Sequence, residues 1–405
     1  MMAPGKAQSG HRLRRGLCAV GGWLCLLLGS VVPLAQAQLS TEDHLGEPGF
    51  WPTREQPSVQ LFAAQGSCAR CHAGIAALQR QSAMAQTLVP AADSGQLHRS
   101  AQLSFHFGGD VYGIHSSHAG QGWMSLYTVE DGAAKLAYPL LWSFGTGRVG
   151  QSYLFKKEDG HVYEARVTYL ESRKDLGFTP ARALQGPTDL VTAMGREVPM
   201  PELMRCFSCH ATAVSIAGAL NEAGLRPGVG CEACHGPGAA HVERMSSPQR
   251  AAAAGKYGAI FEPAHLSPTE SVEFCGACHG SWWDVKLAGV TGPSTVRSAP
   301  YRLVTSRCWG KQGDPRLVCT ACHDPHRDLV TDIAQYDRAC LRCHAGSHAG
   351  TANMAPADRA FAPACPVATA KCASCHMPQV YVPEMQNTFT DHRIRVVKQG
   401  EPFRD

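Results

Sequence analysis

Acidic residues are absent from the first 37 positions of this 405-residue chain, and aromatics make up only 7% of the whole. A net charge of one sign also all but disappears once those 37 positions are set aside. Lys6, Arg12, Arg14 and Arg15 carry the entire formal charge of +4, so the remainder is formally neutral. A chain without a basic field has no electrostatic means of holding nucleic acid, which excludes that class of partner. The same 37 residues read as a secretory signal: a basic start, an apolar run from Leu17 to Leu34, and a small-residue cleavage site at Ala35-Gln36-Ala37. The competing reading is an uncleaved membrane anchor, since an apolar run of about 18 residues just spans a bilayer. Pro33 and the Ala-Gln-Ala ending favour cleavage near Ala37 and a periplasmic or otherwise exported protein.

Cysteine is what the chain has in excess. Length alone suggests two or three ordinary domains, but 18 cysteines and 19 histidines demand disulfides, metal or haem. Fourteen of the cysteines fall into seven Cys-x-x-Cys-His motifs. They are Cys68/Cys71/His72, Cys206/Cys209/His210, Cys231/Cys234/His235, Cys275/Cys278/His279, Cys319/Cys322/His323, Cys340/Cys343/His344 and Cys372/Cys375/His376. Chance would supply roughly 0.04 of them, so they are not accidental. Two cysteines three apart reach the two vinyl groups on one porphyrin edge as thioethers, and the adjacent histidine turns under the ring as proximal iron ligand. A structural zinc site would use two such cysteine pairs as thiolates and gives no reason for the histidine after every pair. Seven covalently bound haems c are therefore expected, and electron transfer is their chemistry. Each haem adds two propionates, so the mature holoprotein should be acidic and should steer basic redox partners towards itself.

One motif stands alone, and the other six fall between Cys206 and His376 at intervals of 21 to 44 residues. Such density makes the haems themselves the core. The expected architecture is a mostly α or irregular multihaem cytochrome c fold with stacked haems and a small inserted β-rich module. The expected divisions are a signal at 1–37, an N-terminal segment with the first haem at 38–99, the β-rich insertion at 100–200 and a six-haem domain at 201–405. Within the insertion, Gln151 to Phe155, Asp159-Gly160 and Val162 to Leu170 read as a hairpin, and Trp123 to Val129 and Leu140 to Phe144 as further strands. Gly145-Thr146-Gly147-Arg148-Val149-Gly150 matches a dinucleotide fingerprint, but a strand rather than a helix follows it, so these glycines read as a tight turn.

Sixth ligands decide between carrier and enzyme, because an iron that only moves electrons usually has two strong axial ligands. The distal candidates are His241, His326, His392 and His265, followed by His118 or its neighbours His106 and His115, and Met84 in an expected helix. His326 lies three residues past His323 and cannot reach the far face of the same iron, so it should serve a neighbouring haem. His348 is a weaker candidate, and His44, His98 and His161 read as ordinary polar side chains. Trp282 and Trp283, beside the fourth motif, would wall a pocket or pack on porphyrin. Cys308 and Cys365 are left over; in an oxidising compartment a disulfide between them is expected, with two free thiols the alternative.

The chain resembles the multihaem cytochromes c related to the nitrifier tetrahaem cytochrome c, which share haem-packing motifs with hydroxylamine oxidoreductase. Gly228 to Val242, Val318 to His326, Cys372 to Pro378 and Phe389 to Ile394 carry the likeness, and Gly145 to Leu154 is similar to the segment before the haem cluster. The resemblance implies that His241 and His326 are axial ligands to haems other than those of their own motifs. Two features are missing from it: a Cys-x-x-Cys-Lys motif, which holds the active haem of pentahaem nitrite reductases, and an eighth haem with a cross-linked tyrosine, as in hydroxylamine oxidoreductase. The expected function is thus an exported carrier moving single electrons between redox partner proteins. Alternatives are an oxidoreductase with one open haem acting on a small nitrogen or sulfur compound, and an electron-transfer subunit of a larger respiratory complex.

Overall fold

The computed structural model describes residues 59–120, 122–180, 186–216, 219–249, 260–310, 313–344, 365–398 and 400–405. The expected signal and cleavage site lie outside these residues, as do His44 and His348. Among the described residues no helix is long and apolar enough to cross a membrane.

Ten antiparallel strands dominate the first half: β1 (Leu88–Pro90), β2 (Gln102–Phe107), β3 (Asp110–Ala119), β4 (Gly122–Glu130), β5 (Lys135–Phe144), β6 (Gly150–Lys156), β7 (Val162–Ala165), β8 (Val167–Leu170), β9 (Asp175–Phe178) and β10 (Gly195–Glu197). Their order is β10-β7-β6-β5-β4-β3-β2, with β1 added to β5, and β8 bridging β6 and β9. The expectation of a mostly α or irregular fold with a small β module is overturned: residues 88–197 form a large antiparallel half-barrel. Sequence reading missed β2 and β3 because glycines interrupt the run and its histidines look like iron ligands. In fact Phe107 pairs with Asp110 across a two-residue turn, where Gly108 takes φ +60° at no steric cost. The expected strand from Val162 to Leu170 is also split. Arg166 leaves the β7 ladder, its N–H donating to Met194 O and its carbonyl accepting from Thr179.

One apolar core fills this sheet. Alternate residues Tyr112 and Ile114 on β3, Tyr127 and Val129 on β4, and Tyr153 and Phe155 on β6 are fully buried. The Tyr127 hydroxyl donates to Met194 O at 2.9 Å, so the buried ring keeps its polar end satisfied. Burial of each such side chain contributes about 1.5–3 kcal/mol, which makes the half-barrel a stable scaffold.

A second core binds the sheet to the first helix of the motif cluster. Leu88, Leu154 and Val198 meet Leu203 and Phe207 of the helix Met200–His210, with Trp142 and Phe144 packed against them. Leu203 and Phe207 are one helical turn apart and share the buried face. Among the described residues beyond 230 the α-helices are short, from four to twelve residues, and Val272, Leu303 and Trp309 form a small apolar cluster. A hairpin of Gln379–Val382 and Asn387–Thr390 follows the last motif.

Candidate haem-binding sites

Every motif lies on or at the end of a helical turn. Cys68–Arg70 is a 3₁₀ turn, Cys231–His235 and Cys319–Cys322 are short helices, and His210, His279 and His344 end longer ones. Backbone bonds run from His72 N to Cys68 O at 2.8 Å, His323 N to Cys319 O at 2.9 Å and His376 N to Cys372 O at 3.1 Å. On a helical turn the residues i, i+3 and i+4 share a face, so both sulfurs and the imidazole project together. That is the arrangement thioether attachment and proximal ligation need.

Cys71, which closes the turn Cys68–Arg70, is exposed, and so is Cys375 on the helix Ala373–His376, with its Sγ 3.8 Å from Ser374 Oγ. Cys278, on the helix Pro268–His279, is half-buried. Spacing within the motif, and not burial, is therefore what supports Cys71, Cys278 and Cys375 as attachment residues.

The imidazoles are oriented by backbone carbonyls and hydroxyls. Nδ1 of His235 lies 3.0 Å from Phe261 O, Nδ1 of His376 2.8 Å from Arg395 O, and Nδ1 of His392 3.0 Å from Thr390 O. Nδ1 of His210 faces Thr87 Oγ1 at 2.8 Å, and the Phe144 ring packs edge-on against that imidazole at 5.2 Å. A ring that donates from Nδ1 keeps the Nε2 lone pair for a metal. Burial also holds His210, His235, His279, His323 and His392 below the usual histidine range, which favours the neutral, ligating form.

Three imidazole pairs face one another across the fold. His72 and His241 have ring centres 6.5 Å apart, His235 and His326 6.0 Å, and His323 and His392 6.3 Å. An imidazole nitrogen binds a first-row metal at about 2.0–2.1 Å and the ring centre lies about 1.1 Å behind it, so two rings sharing one iron have centres roughly 6.3 Å apart. Each pair joins a motif histidine to one outside any motif, separated by 69 to 169 residues. The donor sets therefore fit the group the motifs imply. His210, His279 and His376 have no facing imidazole among the described residues.

The other candidates fall elsewhere. His118 on β3 packs edge-on against Trp123 at 5.7 Å, and His98 stacks on the same indole at 4.3 Å. His106 and His115 are exposed on the sheet, and His265 is exposed on the turn Pro263–His265. Met84 lies past the end of the helix Ala73–Gln79, in turns rather than in the expected helix, and its carbonyl accepts from Val229 N at 3.0 Å. Cys308 and Cys365 are free, so the expected disulfide is not made; Cys308 instead lies near Cys343 of the sixth motif.

Contacts between motifs are close. The side chains of Cys68 and Cys231 are close neighbours, as are those of Cys275 and Cys319, and of Cys340 and Cys372. Cys209 Sγ reaches Ala277 O at 3.7 Å, and Arg342 Nη2 reaches Ala321 O at 3.2 Å. The Asp337 carboxylate, at the head of the helix Asp337–His344, accepts from Cys372 N at 2.8 Å and so locks the sixth motif to the seventh.

Glu232, between the two cysteines of the third motif, has no counterpart in the expected site residues. It is 6% exposed. Oε1 accepts from Ala63 N at 2.7 Å and Gly238 N at 2.6 Å, and Oε2 accepts from Arg226 Nη1 at 2.8 Å. Arg226 also holds Ala63 O at 2.7 Å. One carboxylate thus ties the segment before the first motif, the helix Ala239–Met245 bearing His241, and the third motif. Close approach is enforced nearby at Gly228 (φ +80°), where a Cβ would meet Ala85 O at 1.9 Å.

No curated protein and no solved structure matches the chain. Residues 189–236 match the family model described as cytochrome c554 and c-prime. That stretch spans the helix Met200–His210, the second and third motifs and Glu232. Over residues 189–236 the chain is therefore similar to the cytochrome c554 and c-prime family, a likeness that points to haem c and to electron transfer.

Proposed function

We propose that the chain is an exported heptahaem cytochrome c that moves single electrons along closely packed haems between redox partner proteins. The observation that carries this reading is the set of three imidazole pairs at 6.0–6.5 Å, His72/His241, His235/His326 and His323/His392. When bound, the haems supply one-electron cycling between Fe(III) and Fe(II). The residues do the rest. Cysteine pairs would fix each attachment edge, and the three facing histidine pairs would each hold a haem through two imidazoles, which suits a carrier rather than a catalyst.

The motif contacts support an order in space. The first motif lies against the third through Cys68 and Cys231, the fourth against the fifth through Cys275 and Cys319, and the sixth against the seventh through Cys340 and Cys372. Arg342 links the fifth to the sixth, and Cys209 brings the second to the fourth. Adjacent attachment edges bring neighbouring porphyrins close, as a single-electron path requires.

A specific observation favours a second reading. His279 ends the helix Pro268–His279 in the fourth motif but faces no imidazole among the described residues. An open iron there would suit an oxidoreductase acting on a small nitrogen or sulfur compound. Membership of a larger respiratory complex is a third reading, with the half-barrel as docking surface. Cleavage near Ala37 would release the chain to the periplasm. EPR of the oxidised protein with CO titration of the reduced form tests the carrier reading. Uniformly low-spin iron without a CO adduct is expected; a high-spin, CO-binding haem would replace it with the oxidoreductase reading.

A further inference from the structure

Burial alone does not hold His326 in place, because its side chain is 38% exposed. Its ring nevertheless stands parallel to that of His235, with 7° between the two planes. Polar contacts must therefore orient the loop, and they act on both sides of the histidine. Before it, Asp324 Oδ1 accepts from His326 N at 3.0 Å. After it comes Asp328, two residues on, whose carboxylate Arg148 grips with both arms. Nη1 reaches Oδ1 at 2.8 Å and Nη2 reaches Oδ2 at 2.6 Å. The same Oδ1 accepts from Ala83 N at 3.3 Å. A guanidinium fork on a carboxylate fixes direction as well as distance, which a single ammonium does not.

Arg148 sits in the glycine-rich turn between β5 and β6, 180 residues from its partner. That turn is braced on several sides. Gly145 N donates to Thr87 O at 2.7 Å. Gln151, only 3% exposed, donates from Nε2 to Gly145 O at 2.7 Å and accepts from Ser94 Oγ at 2.7 Å. Gly147 takes φ +80° against Gln96, where a Cβ would meet Oε1 at 2.9 Å. The guanidinium is thus presented from a fixed base on the half-barrel. We propose that Arg148 is a positioning residue for haem ligation: through Asp328 it holds His326 on the iron of the third motif, so that the half-barrel sets how readily that haem opens. The inference rests on the reading of His235 and His326 as a ligand pair. Arg148 touches neither a motif nor a ligand, so breaking the clamp frees the loop Asp324 to Asp328 and leaves attachment intact. The two side chains are 56% and 35% exposed, so solvent and salt screen the pair and its effect is modest. A clamp of that strength tunes ligand release without being needed for folding.

The test is the rate at which saturating cyanide replaces His326 in the oxidised holoprotein, followed by EPR, in Arg148→Gln, Arg148→Lys and Asp328→Asn. Haem content is measured alongside. The low-spin signal that disappears in His326→Ala identifies the haem to follow. At that haem Arg148→Gln and Asp328→Asn are each expected to speed exchange by about fivefold at low salt, and by no more when combined. The other low-spin haems should exchange at the parent rate. Arg148→Lys should recover part of the loss, and about 0.5 M salt should bring the parent towards the Arg148→Gln rate. Should Asp328→Asn load poorly, Arg148→Gln, at the more exposed position, decides. Full loading with an unchanged rate at that haem, or equal acceleration at every haem, would overturn the clamp while leaving the carrier reading intact. If His326→Ala altered no low-spin signal, the ligand pair, and the functional reading with it, would fall instead.

Discussion

Replacing Glu232 by Gln keeps the shape of the side chain and removes its charge. Two of its three acceptor contacts, to Ala63 N and Gly238 N, use a single oxygen and can survive. The third cannot, because the amide nitrogen then points a donor at Arg226 Nη1. Removing one partner of a buried ion pair costs about 3–5 kcal/mol. The side chain of Arg226 is 23% exposed and that of Glu232 6%, which places the loss at the lower end, about 3 kcal/mol. The loss should also be local, because Ala63 leads into the first motif and Gly238 into the helix that carries His241. Urea unfolding of the holoprotein followed in the Soret region should show the lowered stability, with a growing high-spin fraction as His241 leaves its iron. The Arg226→Met/Glu232→Leu double variant should be less destabilised than the two single variants sum to, since no buried charge is stranded. A Glu232→Gln protein within about 0.5 kcal/mol of the parent would refute the keystone role.

Two further outcomes follow from the sheet. Phe207, which is 1% exposed and sits edge-on to Trp142 and Phe144 at 5.7 and 5.5 Å, joins the half-barrel to the second motif. Phe207→Ala should cost about 3–5 kcal/mol by far-UV denaturation, and a loss below about 1 kcal/mol would show the two parts to be independent. His161 Nδ1 contacts Glu197 Oε1 at 2.5 Å across the β7–β10 end of the sheet, and that bond raises the histidine above its ordinary pKa. Its contribution to stability is complete below the unfolded value of about 6.5 and fades as pH rises through the raised folded value. An NMR titration of the ring should show this elevation, and Glu197→Gln should abolish it; persistence in that variant would count against the pairing.

What was legible in the sequence was local. Attachment and proximal residues are spaced by one helical turn, so the chemistry of each motif is written within five residues. The geometry is consistent with the reading that His326 cannot serve its own motif, since its ring faces His235. The Asp159-Gly160 hairpin was legible because its turn residues and flanking strands are contiguous. Long-range electrostatics left no such trace. Glu232 meets Ala63 across 169 residues and Arg302 meets Asp391 across 89, and nothing in the composition near either marks it as buried. The half-barrel was underestimated because β2 and β3 carry His106, His115 and His118, which in a chain rich in iron sites compete as ligands. On the strands those residues lie on exposed positions, while Tyr112 and Ile114 fill the core.

The central claim is that three distal histidines from outside the motifs complete irons held by other parts of the chain. Single replacements His241→Ala, His326→Ala and His392→Ala, each examined by EPR and by CO binding to the reduced protein, test it most directly. Each should convert one low-spin haem, and a different one in each variant, to a high-spin, CO-binding haem with total haem content unchanged. Variants that keep every low-spin signal and bind no CO would contradict the account.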